Sequence, residues 1–170
     1  MKKIILIAIA CLCIYTVNAQ ENETTTYYLI RHAEKSRVDK TNRNPELIEK
    51  GLKRAANWSI VLKNVDLDLV YSTNYNRTIQ TATPTAKAKN VSLSFYDPRN
   101  MYDEKFKLET KGKKVLVVGH SNTTPQFVNK ILGKETYKDI DDLNNSNLYI
   151  VTVTENSMSD VLLKIDIAVK

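Results

Sequence analysis

No cysteine occurs after Cys13 in this 170-residue chain, and both cysteines, Cys11 and Cys13, lie within its first 19 residues. Without those residues the chain has no thiol, which excludes a disulfide framework, a Cys-ligated metal and a Cys nucleophile together. Beyond the leader no run is apolar enough to span a bilayer, so no stable membrane span is expected once the leader is removed. Charge is not concentrated either: the net +6 is spread along the chain with no basic tail, whereas a nucleic-acid binder would cluster its basic residues. No nucleic-acid partner is therefore expected. Histidine is scarce, at two residues, so each position carries information.

The first 19 residues have their own composition: Lys2 and Lys3, an apolar run over residues 4–15, then Val17, Asn18 and Ala19 with small residues at a cleavage position. This pattern reads as a secretory signal peptide of bacterial type, too short for a comfortable membrane helix. Ala10 before Cys11 offers a lipid-anchoring alternative, disfavoured because Ala8 stands where that pattern usually has Leu. The expectation is a leader over residues 1–19 and one domain over residues 20–170, periplasmic or secreted. Losing Lys2 and Lys3 lowers the net charge from +6 to +4, a mild excess that suits solubility and attracts anionic substrates.

The domain alternates between strand-like and helix-like runs. Residues 27–30, 67–71 and 115–118 read as strands, and the last is the continuous apolar kind buried on both faces. Leu47, Ile48, Leu52, Ala55, Trp58 and Leu62 form a helical stripe, as do Tyr75, Ile79, Ala82 and Ala86. A third helix is predicted over residues 125–132, with Thr124 as its N-cap, Pro125 at its first position and Gly133 as its stop. Residues 148–153 and 161–169 read as two strands joined by the polar turn 155–160. No repeat, low-complexity tract or linker interrupts them. The pattern predicts a single-domain α/β fold, a three-layer α/β/α sandwich around a mostly parallel sheet.

In such folds ligands bind beyond the carboxyl ends of the strands. Both histidines sit there: His32 ends "YYLIRH" and His120 ends "VLVVGH". Arg31 adjoins the first, and Arg77 falls in the first turn of the helix after the 67–71 strand. Two planar guanidinium forks and an imidazole suit phosphate oxygens, and free N–H groups at the start of the "HSNTTP" helix favour the same anion. A neutral His32, its charged form disfavoured by those cations, could attack a phosphoryl group and form a phosphohistidine that water later hydrolyses. Tyr75 and Tyr102 are candidates for the mouth of such a pocket; Ser121 and Asn122 orient His120 or only cap the helix, and Asn122 is also a candidate ligand contact.

These blocks, "LIRHAEKS", "VYSTNYNRTIQTA" and "VLVVGHSN", resemble in order the signatures of the histidine phosphatase superfamily, the phosphoglycerate mutase-like fold, over residues 27–153. The resemblance implies His32 as the phosphorylated nucleophile, with Arg31, Arg77 and His120 on the phosphoryl group, and no metal or other cofactor. It also implies a carboxylic acid that protonates the leaving oxygen. Asp97, after the strand-like residues 93–96, is the first choice, ahead of Glu34; Asp103 and Glu104 are more remote, and a plain turn at Asp97-Pro98 is the competing reading. Where the family commonly has Gly after Arg-His, this chain has Ala33, followed by Glu34 and Lys35. Mutases of the family carry a substantial insertion between the second and third blocks, whereas only residues 97–112 are available here, so a mutase is disfavoured.

The expectation is thus an exported, metal-independent phosphatase acting on a small phosphorylated substrate, a phosphomonoester, or on protein phosphohistidine. The alternative is a non-catalytic module that holds a phosphorylated ligand in the same pocket. A metal site built from His32, Glu34 and His120 is disfavoured because Arg31 and Arg77 would repel the cation.

Overall fold

The computed structural model describes residues 23–167, so the predicted leader, both cysteines and Lys170 lie outside the described residues. A six-stranded sheet runs in the order β3-β2-β4-β1-β5-β6. Its strands are β1 (Thr25–Arg31), β2 (Leu69–Ser72), β3 (Leu93–Phe95), β4 (Lys114–Gly119), β5 (Asn147–Val153) and β6 (Met158–Lys164), and its helices are α1 (Glu49–Val61), α2 (Asn76–Lys89), α3 (Glu104–Thr110) and α4 (Thr123–Leu132). The strands β3, β2, β4 and β1 are parallel, while β5 runs antiparallel to β1 and β6 antiparallel to β5.

Side-chain alternation along the strands divides the core into two layers. On one face Tyr27, Leu29, Val115, Val117, Tyr149 and Val151 pack under Phe106 of α3 and Phe127, Val128 and Ile131 of α4. On the other, Ile30, Val70, Leu116, Val118 and Leu148 pack under Trp58 of α1 and Ala82 and Ala86 of α2. This is the three-layer α/β/α sandwich with a mostly parallel sheet. The continuous apolar run of β4 is buried on both sides because β4 is central and has helices over each face.

Several boundaries differ from the sequence expectation. Helix α4 starts at Thr123, with Asn122 rather than Thr124 at its N-cap, because the Thr123 hydroxyl accepts from the His120 N–H and the Thr124 N–H donates to the His120 carbonyl. Pro125 therefore occupies the third helical position. Strand β6 begins at Met158, three residues earlier than expected, because an edge strand pairs by its backbone and tolerates the polar Ser159 and Asp160. Helix α3 was not anticipated; Asp103 caps it by accepting from the Phe106 N–H at 2.8 Å, and Phe106 enters the core. Of the stretch between the second and third blocks, Met101, Phe106 and Thr110 are buried.

The stripe expected on α1 is also rotated. Ile48 and Leu52 are exposed, whereas Gly51 and Arg54 face inward with Ala55 and Trp58. Arg54 turns in to meet Glu34, whose two carboxylate oxygens accept from the guanidinium at 2.8–3.1 Å. Gly51 is required beside it, since a Cβ there would collide with the Glu34 carbonyl oxygen. Together these contacts lay α1 directly on the segment that follows His32.

Removing one partner of an enclosed ion pair leaves the other charge uncompensated. Arg54→Met is therefore expected to lower folding stability by about 3 kcal/mol in urea melts at pH 7. Burial works to raise the Glu34 pKa, but Arg54 hydrogen bonding and the charges of Arg54 and Lys50 outweigh it and hold the carboxyl below its usual range. The pair's contribution is accordingly present at neutral pH and is lost as pH falls through that depressed value, so the Arg54→Met deficit should shrink in acid.

Candidate active site

The parallel strands deliver their polar residues to one edge of the sheet. Strand β1 ends at Arg31 and His32, β2 at Thr73, and β4 at Gly119 and His120; α2 begins beside them with Arg77. Gly119 is needed at this crowding point, because a Cβ would lie 2.8 Å from the Thr124 hydroxyl and 2.9 Å from the Tyr96 hydroxyl. Arg31, His32, Lys35, Tyr75, Arg77, Pro98, His120, Ser121, Asn122, Thr123 and Asp142 line a single cleft of about 340 Å³. Of the residues singled out in the sequence, Arg31, His32, Arg77, His120 and Asn122 therefore meet.

His32 is almost fully buried, and its Nδ1 lies 2.8 Å from the Ala33 carbonyl oxygen. A carbonyl only accepts, so Nδ1 carries the proton and Nε2 carries the in-plane lone pair. Two further bonds fix the His32 backbone: its N–H donates to Gly119 at 2.9 Å, and its carbonyl accepts from the Asn145 amide at 2.8 Å. The two imidazole centroids lie 5.6 Å apart. Burial, then the charges of Arg31, His120 and Arg77, pull the His32 pKa down to about 3, against the opposing bond to Ala33. Burial and the charges of Arg77, Lys35 and Arg31 likewise pull His120 down to about 4. Both rings are neutral at pH 7.

The His120 ring is set by a hydroxyl relay. Arg77 Nη2 donates to His120 Nδ1 at 3.4 Å, so Nε2 carries the proton and donates to Thr73 Oγ1 at 2.9 Å. Thr73 Oγ1 in turn lies 2.9 Å from Thr78 Oγ1, whose hydroxyl bonds to nearby carbonyls. The Arg77 guanidinium sits 4.5 Å over the Tyr75 ring centroid, and no carboxylate among the described residues pairs with it.

Arg31 is held from below by a segment that sequence reasoning did not single out. Its Nη1 donates to the carbonyls of Asp141, Asp142 and Asn144 at 2.8–3.1 Å, and its Nη2 to Asp142 Oδ1 at 2.8 Å. Asp142 Oδ2 also accepts from Arg37 at 2.6 Å. Hydrogen bonding to Arg37 and Arg31 holds the Asp142 carboxyl far below its usual range. The run "DIDDLNNSN", dense in polar side chains just before a strand, was the available signal for this segment. The Nε atoms of Arg31 and Arg77 are both buried with no hydrogen-bond partner among the described residues. A buried unpaired donor costs about 1–3 kcal/mol.

The structure does not bring the expected acids to this cleft. Asp97 lies in a turn after β3, where its carboxylate accepts from the Arg99 backbone and guanidinium at 2.9–3.1 Å, and it faces a separate pocket with Tyr71, Phe106 and Glu109. Hydrogen bonding to Arg99 lowers its pKa, which makes it a poorer proton donor. Glu34 lines an adjoining pocket, with both oxygens committed to Arg54, so its expected ligand-binding role is corrected to a structural one. Asp103 caps α3. The set His32, Glu34 and His120 does not form a metal-binding cluster, and no such group of three occurs among the described residues. Tyr75 lines the cleft, whereas Tyr102 packs between Tyr27 and Phe127 in the core.

Two imidazoles with depressed pKa values couple folding to pH. The unfolded chain binds protons at these residues near pH 6.5, while the folded chain does so only near 3 and 4. Stability is therefore expected to fall as pH drops below 6.5, by up to about 1.4 kcal/mol per pH unit for each imidazole. Urea melts at pH 7 and pH 5 check this: His120→Asn should reduce the difference between the two, and an unchanged difference would contradict it.

The family model of the histidine phosphatase superfamily (branch 1) matches residues 27–98, the segment that carries Arg31, His32 and Arg77. No curated protein matches the chain in sequence. Among solved structures, the protein histidine phosphatase SixA complexed with tungstate aligns with a TM-score of 0.65 at 15% identity, covering 82% of this chain and 96% of that one. A mycobacterial glucosyl-3-phosphoglycerate phosphatase complexed with VO3 gives a TM-score of 0.64 at 11% identity, over 84% of this chain and all of the other. Phosphoglycerate mutase from Bacillus anthracis gives 0.62 at 15% identity, over 82% of this chain and 92% of that one. These likenesses establish a shared fold. The sequence match runs through the first two strand-end blocks, and the shared fold brings His120 to the cleft that those blocks line.

Proposed function

We propose that this protein is an exported, metal-independent phosphatase that transfers the phosphoryl group of a phosphomonoester to His32 and then to water. The observation that carries this reading is the state of His32: its Nδ1 proton is tied to Ala33, its Nε2 lone pair remains for attack, and cations surround it. The Arg31 and Arg77 guanidinium groups that line the cleft would hold the equatorial phosphoryl oxygens as charge builds on them. When a dianion enters, its charge reverses the local field, so His120 can take up a proton and present both N–H groups, one to Thr73 and one to the anion. The leader-like residues 1–19 support export.

Protein phosphohistidine is a second reading, favoured by the absence of any carboxylic acid free to protonate a leaving oxygen in the cleft. An imidazole leaves a P–N bond without that help once its ring is protonated. The chain's structural likeness to SixA, a protein histidine phosphatase, points the same way.

The test is phosphoenzyme trapping. Brief incubation with a labelled phosphomonoester followed by alkaline quench should leave acid-labile, base-stable label on the wild type and none on His32→Ala. Turnover should survive chelator, and Arg77→Ala should lower kcat/KM by about 10²–10³-fold. Label on His32→Ala, or activity lost to chelator, would sink the proposal; phosphate binding with neither label nor turnover on phosphomonoesters and phosphohistidine peptides would favour the non-catalytic module.

A further inference from the structure

Resting on the phosphatase reading, we infer that Lys35 is the general acid of this site, giving its ammonium proton to the leaving oxygen. Lys35 stands in the wall shared by the His32 cleft and the pocket adjoining it, and it lines both. Its backbone is pinned: Lys35 bridges Leu47, the Ser36 N–H donates to Glu46 at 2.8 Å, and the Ile48 N–H donates to Glu34 at 3.0 Å. The side chain is half-buried, and no acceptor among the described residues takes its ammonium, unlike Lys50 with Glu34 or Lys107 with Glu104.

Elimination among the lining residues supports the assignment. Arg31 and Arg77 do not give up protons at any working pH. His32 is the neutral nucleophile, His120 once protonated has its two N–H groups engaged by Thr73 and the bound anion, and Asp142 is held ionised by Arg37 and Arg31. Asp97 and Glu34 are occupied by Arg99 and Arg54. The hydroxyls of Tyr75 and Ser121 carry no charge to attract a developing alkoxide. Burial and the neighbouring cations Arg77, Arg37 and Arg31, opposed by Asp142, lower the Lys35 pKa, which makes the ammonium a stronger acid.

The step balances. As His32 Nε2 forms its bond to phosphorus and the P–O bond of the ester breaks, the leaving oxygen takes a proton from Lys35 and departs as an alcohol. The neutral amine then accepts a proton from the water that attacks phosphohistidine, which restores the ammonium and releases hydrogen phosphate.

The experiment compares an alkyl phosphate, whose poor leaving group needs a proton, with nitrophenyl phosphate, whose leaving group does not. Lys35→Met and Lys35→Arg are both expected to lose about 10²–10⁴-fold more kcat on the alkyl ester than on the nitrophenyl ester, relative to wild type. In the wild type, alkyl turnover should fall as pH rises through the Lys35 pKa, below the ordinary lysine range, with no such limb on the nitrophenyl ester. Arg31, Arg37, Arg77, His120 and Asp142 are the charged and titratable groups that set that limb. Full activity of Lys35→Arg on the alkyl ester would overturn the assignment, because charge alone would then suffice. A wild type that cleaves only the nitrophenyl ester would overturn it as well. Turnover that persists in His32→Ala would instead overturn the underlying phosphohistidine reading.

Discussion

The site depends on how a fully buried arginine is satisfied. Arg31 sits at the end of a central strand, where an ion without partners would not be tolerated. The antiparallel return of β5 solves this, because the segment preceding β5 arrives at the carboxyl end of β1 and supplies three carbonyls and Asp142. The same segment places Asn145 on the His32 carbonyl. One change of strand direction thus anchors both the cation and the backbone of His32.

That anchoring leaves the cleft short of negative charge. Arg31, Lys35 and Arg77 line it against Asp142 alone, and Asp142 is shared with Arg37 outside it. Burial and these cations together keep both imidazoles neutral. Local violation of charge balance, held in place by well-satisfied neighbours, is the physical mark of a functional site. The Glu34–Arg54 pair shows the opposite case: a carboxylate beside the nucleophile that is fully neutralised becomes a packing device for α1.

Legibility followed the range of the interactions involved. The apolar run of β4 was readable because it depends on burial, whereas only Ala82 and Ala86 of the α2 stripe face the core, beside the buried Thr78, Thr81 and Thr85. The stripe on α1 was misread at Ile48 and Leu52, because an ion pair between Arg54 and a residue 20 positions earlier decided which face turns inward. Asp97 read as an acid because it follows a strand, yet Arg99, two residues on, claimed it for a turn. Helix α3 was short enough for its cap and single core phenylalanine to escape a periodicity reading.

By itself the sequence determined that Arg31, His32, Arg77 and His120 come together at one edge of the sheet. Residues placed after parallel strands must emerge on the same sheet edge, and only one arrangement of those blocks brings scarce histidines together there. The tertiary structure alone decided which groups remain available for chemistry. Partners such as Asp142 for Arg31, Arg54 for Glu34 and Thr73 for His120 come from distant parts of the chain, and an ionisable side chain's state is set by what surrounds it rather than by its neighbours in sequence.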